Sequence, residues 1–261
     1  MNTYQHWTLT TQNHIATLTL NRPEQKNRID ETTLFELREI AHYIAGESDI
    51  WVVVVRANGT GFSAGVDVSL IGKIVGQDPE SYRRDLKNAQ DCFDVFEALN
   101  KPTIAAMHGY VIGGGMILAV CCDFRLATPD VEFYLPEVKR SIGVIMGTQR
   151  ITRIIGVSAT KEMAMLAVPV GAERALRLGL INEIVPQDQL DKRAQAFAEQ
   201  FLELPPLAVG LNKQIIDQGQ FLDRAGQDLE IERQEALLKS EDFKEAIASF
   251  FEKRKPIYKG K

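Results

Sequence analysis

One stretch of the chain decides its fold: residues 102–150, which read PTIAAMHGYVIGGGMILAVCCDFRLATPDVEFYLPEVKRSIGVIMGTQR. A short apolar strand predicted at Thr103–Met107 leads through Gly109 and three consecutive glycines, Gly113–Gly115, into an apolar segment of helical character, Met116–Cys122. Because glycines carry no Cβ atom, they leave the main-chain N–H groups at the start of this helix open to a ligand. Those groups and the positive end of the helix dipole favour an anion or a developing oxyanion. The stretch therefore predicts an oxyanion site.

A single carboxylate follows in the same stretch. Glu137 lies 22 residues after Gly115, and the apolar segment Phe133–Pro136 precedes it. Apolar surroundings raise the pKa of a carboxyl group toward that of a working base. An oxyanion site followed by a desolvated carboxylate predicts proton transfer next to a carbonyl group.

The residues before this stretch predict alternating strands and helices. Two short strands are expected within Trp7–Leu20, followed by a helix over Asp30–Ala45 that Asp30 caps. The β-branched run Trp51–Val55 is typical of a strand buried on both faces, and Asp78–Ala98 has the spacing of a long helix. Strand, loop and helix thus recur at intervals of roughly fifty residues, which predicts an α/β fold of stacked ββα turns in a spiral.

The last part of the chain is predicted to be helical. Helical composition begins at Ser158, Leu190–Leu204 is amphipathic, and Pro205–Pro206 interrupts the pattern. We therefore divide the chain into a spiral core, residues 1–200, and a C-terminal helical region, residues 201–261. The apolar residues after Pro206 exceed what a small tail can bury, which predicts association of several copies. Those residues are Leu211, Ile215, Ile216, Ile231, Leu237 and Leu238.

Composition restricts the partners. The 261 residues carry 30 Lys and Arg against 35 Asp and Glu, a net charge of −5, so no general basic surface is expected for a nucleic acid. Three cysteines, two of them adjacent, form neither a disulfide framework nor a metal-spaced set, which favours a reducing, cytoplasmic compartment. No membrane-spanning segment, metal site or nicotinamide fingerprint is predicted.

A second glycine-rich loop, Gly61–Asp67, allows a different reading. Its first five residues match the G-x-S-x-G turn that carries the nucleophile of serine hydrolases, here Ser63. The order of residues along the chain argues against a hydrolase, because the last histidine, His108, comes only 45 residues later. His108 is expected to hydrogen-bond within its turn.

Taken together, the motifs resemble the crotonase (enoyl-CoA hydratase/isomerase) superfamily over nearly the whole chain. The motifs are Leu20–Pro23, Phe62–Asp67, His108–Gly115, Cys122–Asp123, Pro136–Glu137, Gly147–Arg150, Gly179–Pro186 and Glu252–Pro256. The resemblance implies a spiral of ββα units with C-terminal helices that build trimers, often paired into hexamers. It also implies an enzyme that binds an acyl-CoA thioester and stabilises its enolate.

Carried over residue by residue, the resemblance implies an oxyanion hole made by the N–H groups of Ala64 and Gly114. Two preorganised donors are most valuable when charge develops on the thioester oxygen. Hydratases of the family use two glutamates. The second matches Glu137, but the position of the first is Ile117, which cannot ionise. One carboxylate suffices to shift a double bond, so the site logic is closest to that of Δ3,Δ2-enoyl-CoA isomerases.

The resemblance also implies substrate contacts and leaves other activities open. Lys253, within the basic cluster Lys253–Lys255, is expected to meet coenzyme A phosphates of a neighbouring subunit, and Leu70, Ile71 and Ile74 are expected to line the acyl tunnel. The full set of predicted substrate-binding residues is Arg22, Lys26, Phe62, Asp67, Leu70, Ile117 and Lys253. Coenzyme A is part of the substrate, and no separate cofactor is expected.

The alternatives are an enoyl-CoA hydratase, another crotonase-family lyase, and a non-catalytic acyl-CoA-binding or RNA-binding member. Decarboxylation and dehalogenation, which need other polar groups, also stay open.

Overall fold

A six-stranded sheet forms the first layer of the computed structural model, which describes residues 4–67, 70, 78–219 and 238–261. Its strands are β1 Trp7–Gln12, β2 Ile15–Leu20, β3 Val52–Ala57, β4 Thr103–Met107, β6 Phe124–Ala127 and β9 Glu183–Ile184, in the spatial order β1-β2-β3-β4-β6-β9. The first pair is antiparallel and every later pair is parallel. Val52–Val55 are buried, as expected for a strand covered on both faces.

A second, three-stranded sheet holds the glycine-rich loops. It consists of β5 Tyr110–Ile112, β7 Glu132–Tyr134 and β8 Val170–Gly171, in the order β5-β7-β8. Single bridges add Ser63 beside Val111 and Val66 beside Ile29. The sheet therefore brings the loop 63–67, the glycine triplet after β5 and the turn after β7 to one place.

Helices cover the sheets. They are α1 Glu31–Gly46, α2 Pro79–Glu97, α3 Gly114–Val120, α4 Thr148–Leu166, α5 Ala172–Arg177, α6 Leu190–Glu199, α7 Pro206–Gln218 and α8 Glu241–Glu252. Short 3-10 turns lie at Pro23–Gln25, Glu137–Arg140, Gln187–Gln189 and Gln200–Glu203. The alternation of strands and helices confirms the predicted α/β class.

An aspartate caps the start of each of the first two long helices, as was predicted for Asp30. Asp30 accepts a hydrogen bond from the Thr33 N–H (2.9 Å) at the start of α1, and Asp78 accepts from the Glu80 and Ser81 N–H groups at the start of α2. Such caps satisfy N–H groups that lack a partner within the helix.

The side chain of Lys101 caps the C-terminal end of α1. Its ammonium group donates to the carbonyl oxygens of Ile44 (2.5 Å) and Glu47 (2.6 Å). A cation is favoured there because the carbonyl end of a helix is negative.

Helix α3 lies in the centre of the molecule. All seven of its residues, Gly114–Val120, are buried, and its side chains belong to the main hydrophobic core. Gly113 precedes it with φ of +48°, a backbone conformation that favours glycine. The helix starts two residues earlier than the apolar pattern predicted, so that Gly114 and Gly115 form its first turn.

The C-terminal half differs from the sequence prediction in detail. Helix α4 begins at Thr148, ten residues before the expected Ser158, and bends at Gly156, where φ is +77°. The two-residue strands β8 and β9 escaped prediction because so short a run shows no periodicity. Within the described residues, no helix is both long and apolar enough to cross a membrane. The division at residue 200 stays a prediction.

Candidate active site

The carboxylate of Glu137 lies against the main chain of Gly113. A Cβ atom added to Gly113 would stand 2.5 Å from Glu137 Oε1, well inside van der Waals contact. The Gly113 N–H donates to the Tyr134 carbonyl (2.9 Å), which fixes the end of β7 beside the start of α3. The absence of a side chain at Gly113 is what allows the carboxylate to reach the helix start.

The environment of Glu137 favours a base. Glu137 opens the 3-10 turn that follows β7, and its side chain is half-buried. Its Oε2 atom is buried and has no hydrogen-bond partner among the described residues. Burial raises the pKa of the carboxyl group, and a backbone hydrogen bond and the Arg140 charge oppose that rise only in part. A desolvated carboxylate with an unshared oxygen can accept a proton.

The structure corrects one of the two predicted oxyanion donors. The Ala64 N–H, expected to face the substrate, donates to the Lys26 carbonyl (3.0 Å). The N–H group two residues later is the better candidate. The Ile29 N–H donates to the Gly65 carbonyl, and the Ile29 carbonyl accepts from the Asp67 N–H. Val66 lies between these two residues, so its N–H points away from Ile29, and it has no acceptor among the described residues.

Val66 lies beside the other predicted donor. A Cβ atom on Gly114 would be 3.3 Å from the Val66 nitrogen. Gly114 is the first residue of α3, where an N–H group has no partner within the helix. We therefore assign the candidate oxyanion site to the N–H groups of Gly114 and Val66. The sequence did not show this, because Gly65 has φ of +85° and turns the chain between Ala64 and Val66.

The position of the missing first glutamate is closed and apolar. Ile117 is buried one helical turn after Gly113, to whose carbonyl its N–H donates (3.0 Å). Its Cγ1 atom would be 2.7 Å from a Cβ atom on Gly147, so the turn before α4 packs directly on it. Because residues four apart lie on one face of a helix, Ile117 and Gly147 form an apolar wall on the face of α3 that Glu137 approaches at Gly113.

Ser63 does not have the setting of a nucleophile. Its hydroxyl is fully buried, donates to the Asn27 carbonyl (2.7 Å) and accepts from the Gly65 N–H (3.1 Å). The Gly59 carbonyl accepts a hydrogen bond from Nε2 of His108 (2.9 Å), as expected for a histidine that stabilises its turn. The serine hydrolase alternative is therefore excluded by the hydrogen bonds of Ser63.

Two predicted substrate-binding residues have structural roles instead. Arg22 is buried, pairs with Asp30 (2.8 Å), donates to the Arg28 carbonyl (2.9 Å) and contacts Gln25, so its guanidinium group is not free for a phosphate. The Phe62 side chain is completely buried in the main core. The structure therefore does not support the prediction that these two side chains contact substrate.

Four of the other predicted substrate-binding residues are accessible to different degrees. Lys26 is exposed, Asp67 lies 3.9 Å from Arg28, and Leu70 is half-buried. Lys253 is exposed at the end of α8. Their contacts with substrate stay predictions, and the expected tunnel residues Ile71 and Ile74 lie outside the described residues.

Comparison with known proteins identifies relatives along the whole chain. A family model described as enoyl-CoA hydratase/isomerase matches residues 10–261. A crotonyl-CoA hydratase of Syntrophomonas wolfei is 30% identical over 258 residues, which cover 97% of each chain. A mitochondrial Delta(3,5)-Delta(2,4)-dienoyl-CoA isomerase of Dictyostelium discoideum is 32% identical over 257 residues, covering 94% of this chain and 87% of the relative.

The fold agrees with that of solved structures. An enoyl-CoA hydratase from Bacillus anthracis superimposes with a TM-score of 0.90 at 32% identity, covering 98% of this chain and 100% of the other. A second, described as a putative enoyl-CoA hydratase from Streptomyces coelicolor, gives a TM-score of 0.93 at 27% identity, covering 100% of this chain and 96% of the other.

Proposed function

The chain belongs to the enoyl-CoA hydratase/isomerase family, and we propose that within this family it moves the double bond of a 3-enoyl-CoA to carbon 2. The observation that supports this proposal is the pairing of Glu137 with Ile117. Glu137 offers a desolvated carboxylate, and Ile117, at the position where hydratases of the family carry their first glutamate, offers a buried hydrocarbon.

The proposed reaction needs one base and two donors. The thioester oxygen accepts hydrogen bonds from the N–H groups of Val66 and Gly114. Glu137 then takes a proton from carbon 2, and the electron pair of that C–H bond delocalises into a dienolate. Glu137 returns the same proton to carbon 4, so the double bond ends between carbons 2 and 3 with no atom gained or lost.

Magnitudes agree with this division of labour. A positioned general base contributes about 10²–10⁴-fold to a rate. One oxyanion donor typically contributes about 10²–10³-fold, because the donor is oriented before charge develops.

Hydration of a 2-enoyl-CoA is the second candidate. It is favoured by the names of several relatives, among them the crotonyl-CoA hydratase of Syntrophomonas wolfei and the short-chain-enoyl-CoA hydratase of Clostridium acetobutylicum. In that reaction Glu137 alone would have to activate the water and manage the proton. Ile117, which packs directly on Gly147, occupies the position of the other base and cannot ionise.

The test compares the purified protein on a 3-enoyl-CoA and a 2-enoyl-CoA. We expect isomerisation of the first to exceed hydration of the second, and Glu137→Gln to lower isomerisation by about 10²–10⁴-fold. Glu132→Gln is the matched control, because that glutamate is exposed on β7, five residues from Glu137, and should retain parental activity. Fast hydration by the parent protein, or full isomerase activity in Glu137→Gln, contradicts the proposal.

We extend the proposal to the ligand and the assembly. Acyl-CoA is the proposed substrate, with no separate cofactor and with Lys253 near its phosphates. The proposed assembly is a homotrimer or a hexamer, supported by exposed aromatic and aliphatic side chains on and after α8: Ile247, Phe250, Phe251 and Ile257. Calorimetric titration with an acyl-CoA tests the first point, and the absence of heat would contradict it.

A further inference from the structure

Arg150 makes an unusual set of contacts in the first turn of α4. Its side chain is buried and joins three acceptors: Asp94 Oδ1 (2.5 Å), Glu97 Oε2 (2.7 Å) and the Met146 carbonyl (2.5 Å). The two carboxylates belong to α2. A buried guanidinium that meets acceptors on two elements fixes their relative position, because its planar fork has little freedom.

The Met146 carbonyl belongs to a backbone that needs such support. Met146 has φ of +68°, in the left-handed region that is unfavourable for residues other than glycine. The next residue, Gly147, is the one that packs on Ile117 in the wall beside Glu137. The hydrogen bond from Arg150 therefore holds the strained residue next to the catalytic wall.

We propose that Arg150 is a positioning residue for the catalytic base: it holds the Met146–Gly147 turn against Ile117 and so keeps water away from Glu137. This inference rests on the proposed function only in taking Glu137 as the base. Arg150 itself does not contact Glu137 and acts through the turn. The packing supports this, since α4 contacts both α3 and the 3-10 turn that begins with Glu137.

The charges around Glu137 are few among the described residues. Arg140, on the same turn, is the charged group that acts on its carboxyl. Helix α3 contributes no ionisable side chain, and the charge of Arg150 on α4 is paired with Asp94 and Glu97. When the Met146–Gly147 turn loses its hydrogen bond to Arg150, we therefore expect the pKa of Glu137 to change mainly because water enters beside its carboxyl group.

Variants of Arg150 test the proposal by steady-state kinetics. In Arg150→Lys and Arg150→Met we expect kcat to fall by about 10–100-fold, since a displacement of about 1 Å can cost 10²-fold. KM should stay within about threefold, and lysine, which keeps the charge but loses the fork, should be the milder change.

The acid limb of the pH profile separates positioning from mere loss of stability. Hydration of Glu137 lowers its pKa, so the limb should move to lower pH in both variants. A variant that is only less stable would unfold earlier in acid, and its limb would move to higher pH.

The matched control is Arg153→Met. Arg153 lies on the same helix and donates to Glu97 Oε1 (2.8 Å), but its side chain is exposed and it pairs with Glu97, not with the Met146 turn. The control should keep the parental kcat and pH profile. If it matched Arg150→Lys, the effect would come from the charge of Glu97 and the proposal would be overturned.

A readout without turnover makes the test independent of the proposed reaction. The carbonyl band of protonated Glu137 can be followed by infrared difference spectroscopy against pH, and its absence in Glu137→Gln assigns it. In Arg150→Lys this titration should move to lower pH whether or not the parent protein is an isomerase. If the titration moves but the parent shows no isomerase activity, the proposed function fails and this inference stands. An unchanged titration in folded Arg150→Lys overturns the inference, and that variant decides the matter if Arg150→Met does not fold.

Discussion

Replacing Gly113 with alanine tests the close approach between the base and the main chain. The added Cβ would lie 2.5 Å from Glu137 Oε1, whereas a carbon–oxygen contact normally spans about 3.3–3.6 Å. The carboxylate must therefore retreat by about 1 Å, a displacement that can lower a rate by about 10²-fold. That factor corresponds to about 2.7 kcal/mol in the activation free energy.

The same substitution also acts on the backbone. Gly113 has φ of +48° and ψ of −114°, a conformation that is unfavourable for alanine by about 1–3 kcal/mol, so thermal unfolding should occur a few degrees lower. The assay is isomerisation of a 3-enoyl-CoA at a temperature where both proteins are folded. Gly46→Ala is the control, since its Cβ meets nothing within 4 Å and its φ is not positive. A kcat for Gly113→Ala within threefold of the parent would refute the reasoning.

Three further predictions concern stability and assembly. Burial raises the pKa of Glu137, so folding favours its protonated form and the folded state becomes less stable as pH rises through that raised pKa. Glu137→Gln should therefore have a higher melting temperature than the parent at about pH 8. Calorimetry should show that this difference vanishes below about pH 4. Lys101→Met leaves the Ile44 and Glu47 carbonyls without their donor and should lower the free energy of unfolding in urea by about 1–3 kcal/mol; an unchanged midpoint would mean that the ammonium contributes nothing. The parent should scatter light as several copies of a 29.2 kDa chain, and Phe250→Ser should weaken that assembly, whereas a monomeric parent at micromolar concentration would contradict it.

Local patterns predicted the elements that have local causes. Asp30 caps the helix that it was expected to cap, a long helix begins at Asp78 as its spacing predicted, and the alternation in Ile15–Leu20 and the run around Val53 became strands. In each of these the signal lies within a few residues of the element, as with caps and period-two alternation.

The residues that the sequence misassigned depend on contacts between distant segments. The N–H of Ala64 was assigned to the substrate, but Lys26, far away in the sequence, accepts it. Arg22 was predicted to bind substrate, but its guanidinium group pairs with Asp30, and no sequence spacing shows that Arg150 reaches Met146. Sequence identifies the residue types of the site, whereas the direction of each N–H group and guanidinium is set by the packing of loops.

The central position of α3 has a consequence for how the protein would lose its activity on heating. All residues of this helix are buried, and its first N–H groups form one side of the candidate site. Loops at the surface open locally with little free energy, but a helix inside the core becomes accessible only when the core itself opens. Inactivation should therefore coincide with the melting of the whole domain, and the amides of Ile117 and Leu118 should be among the last to exchange with solvent.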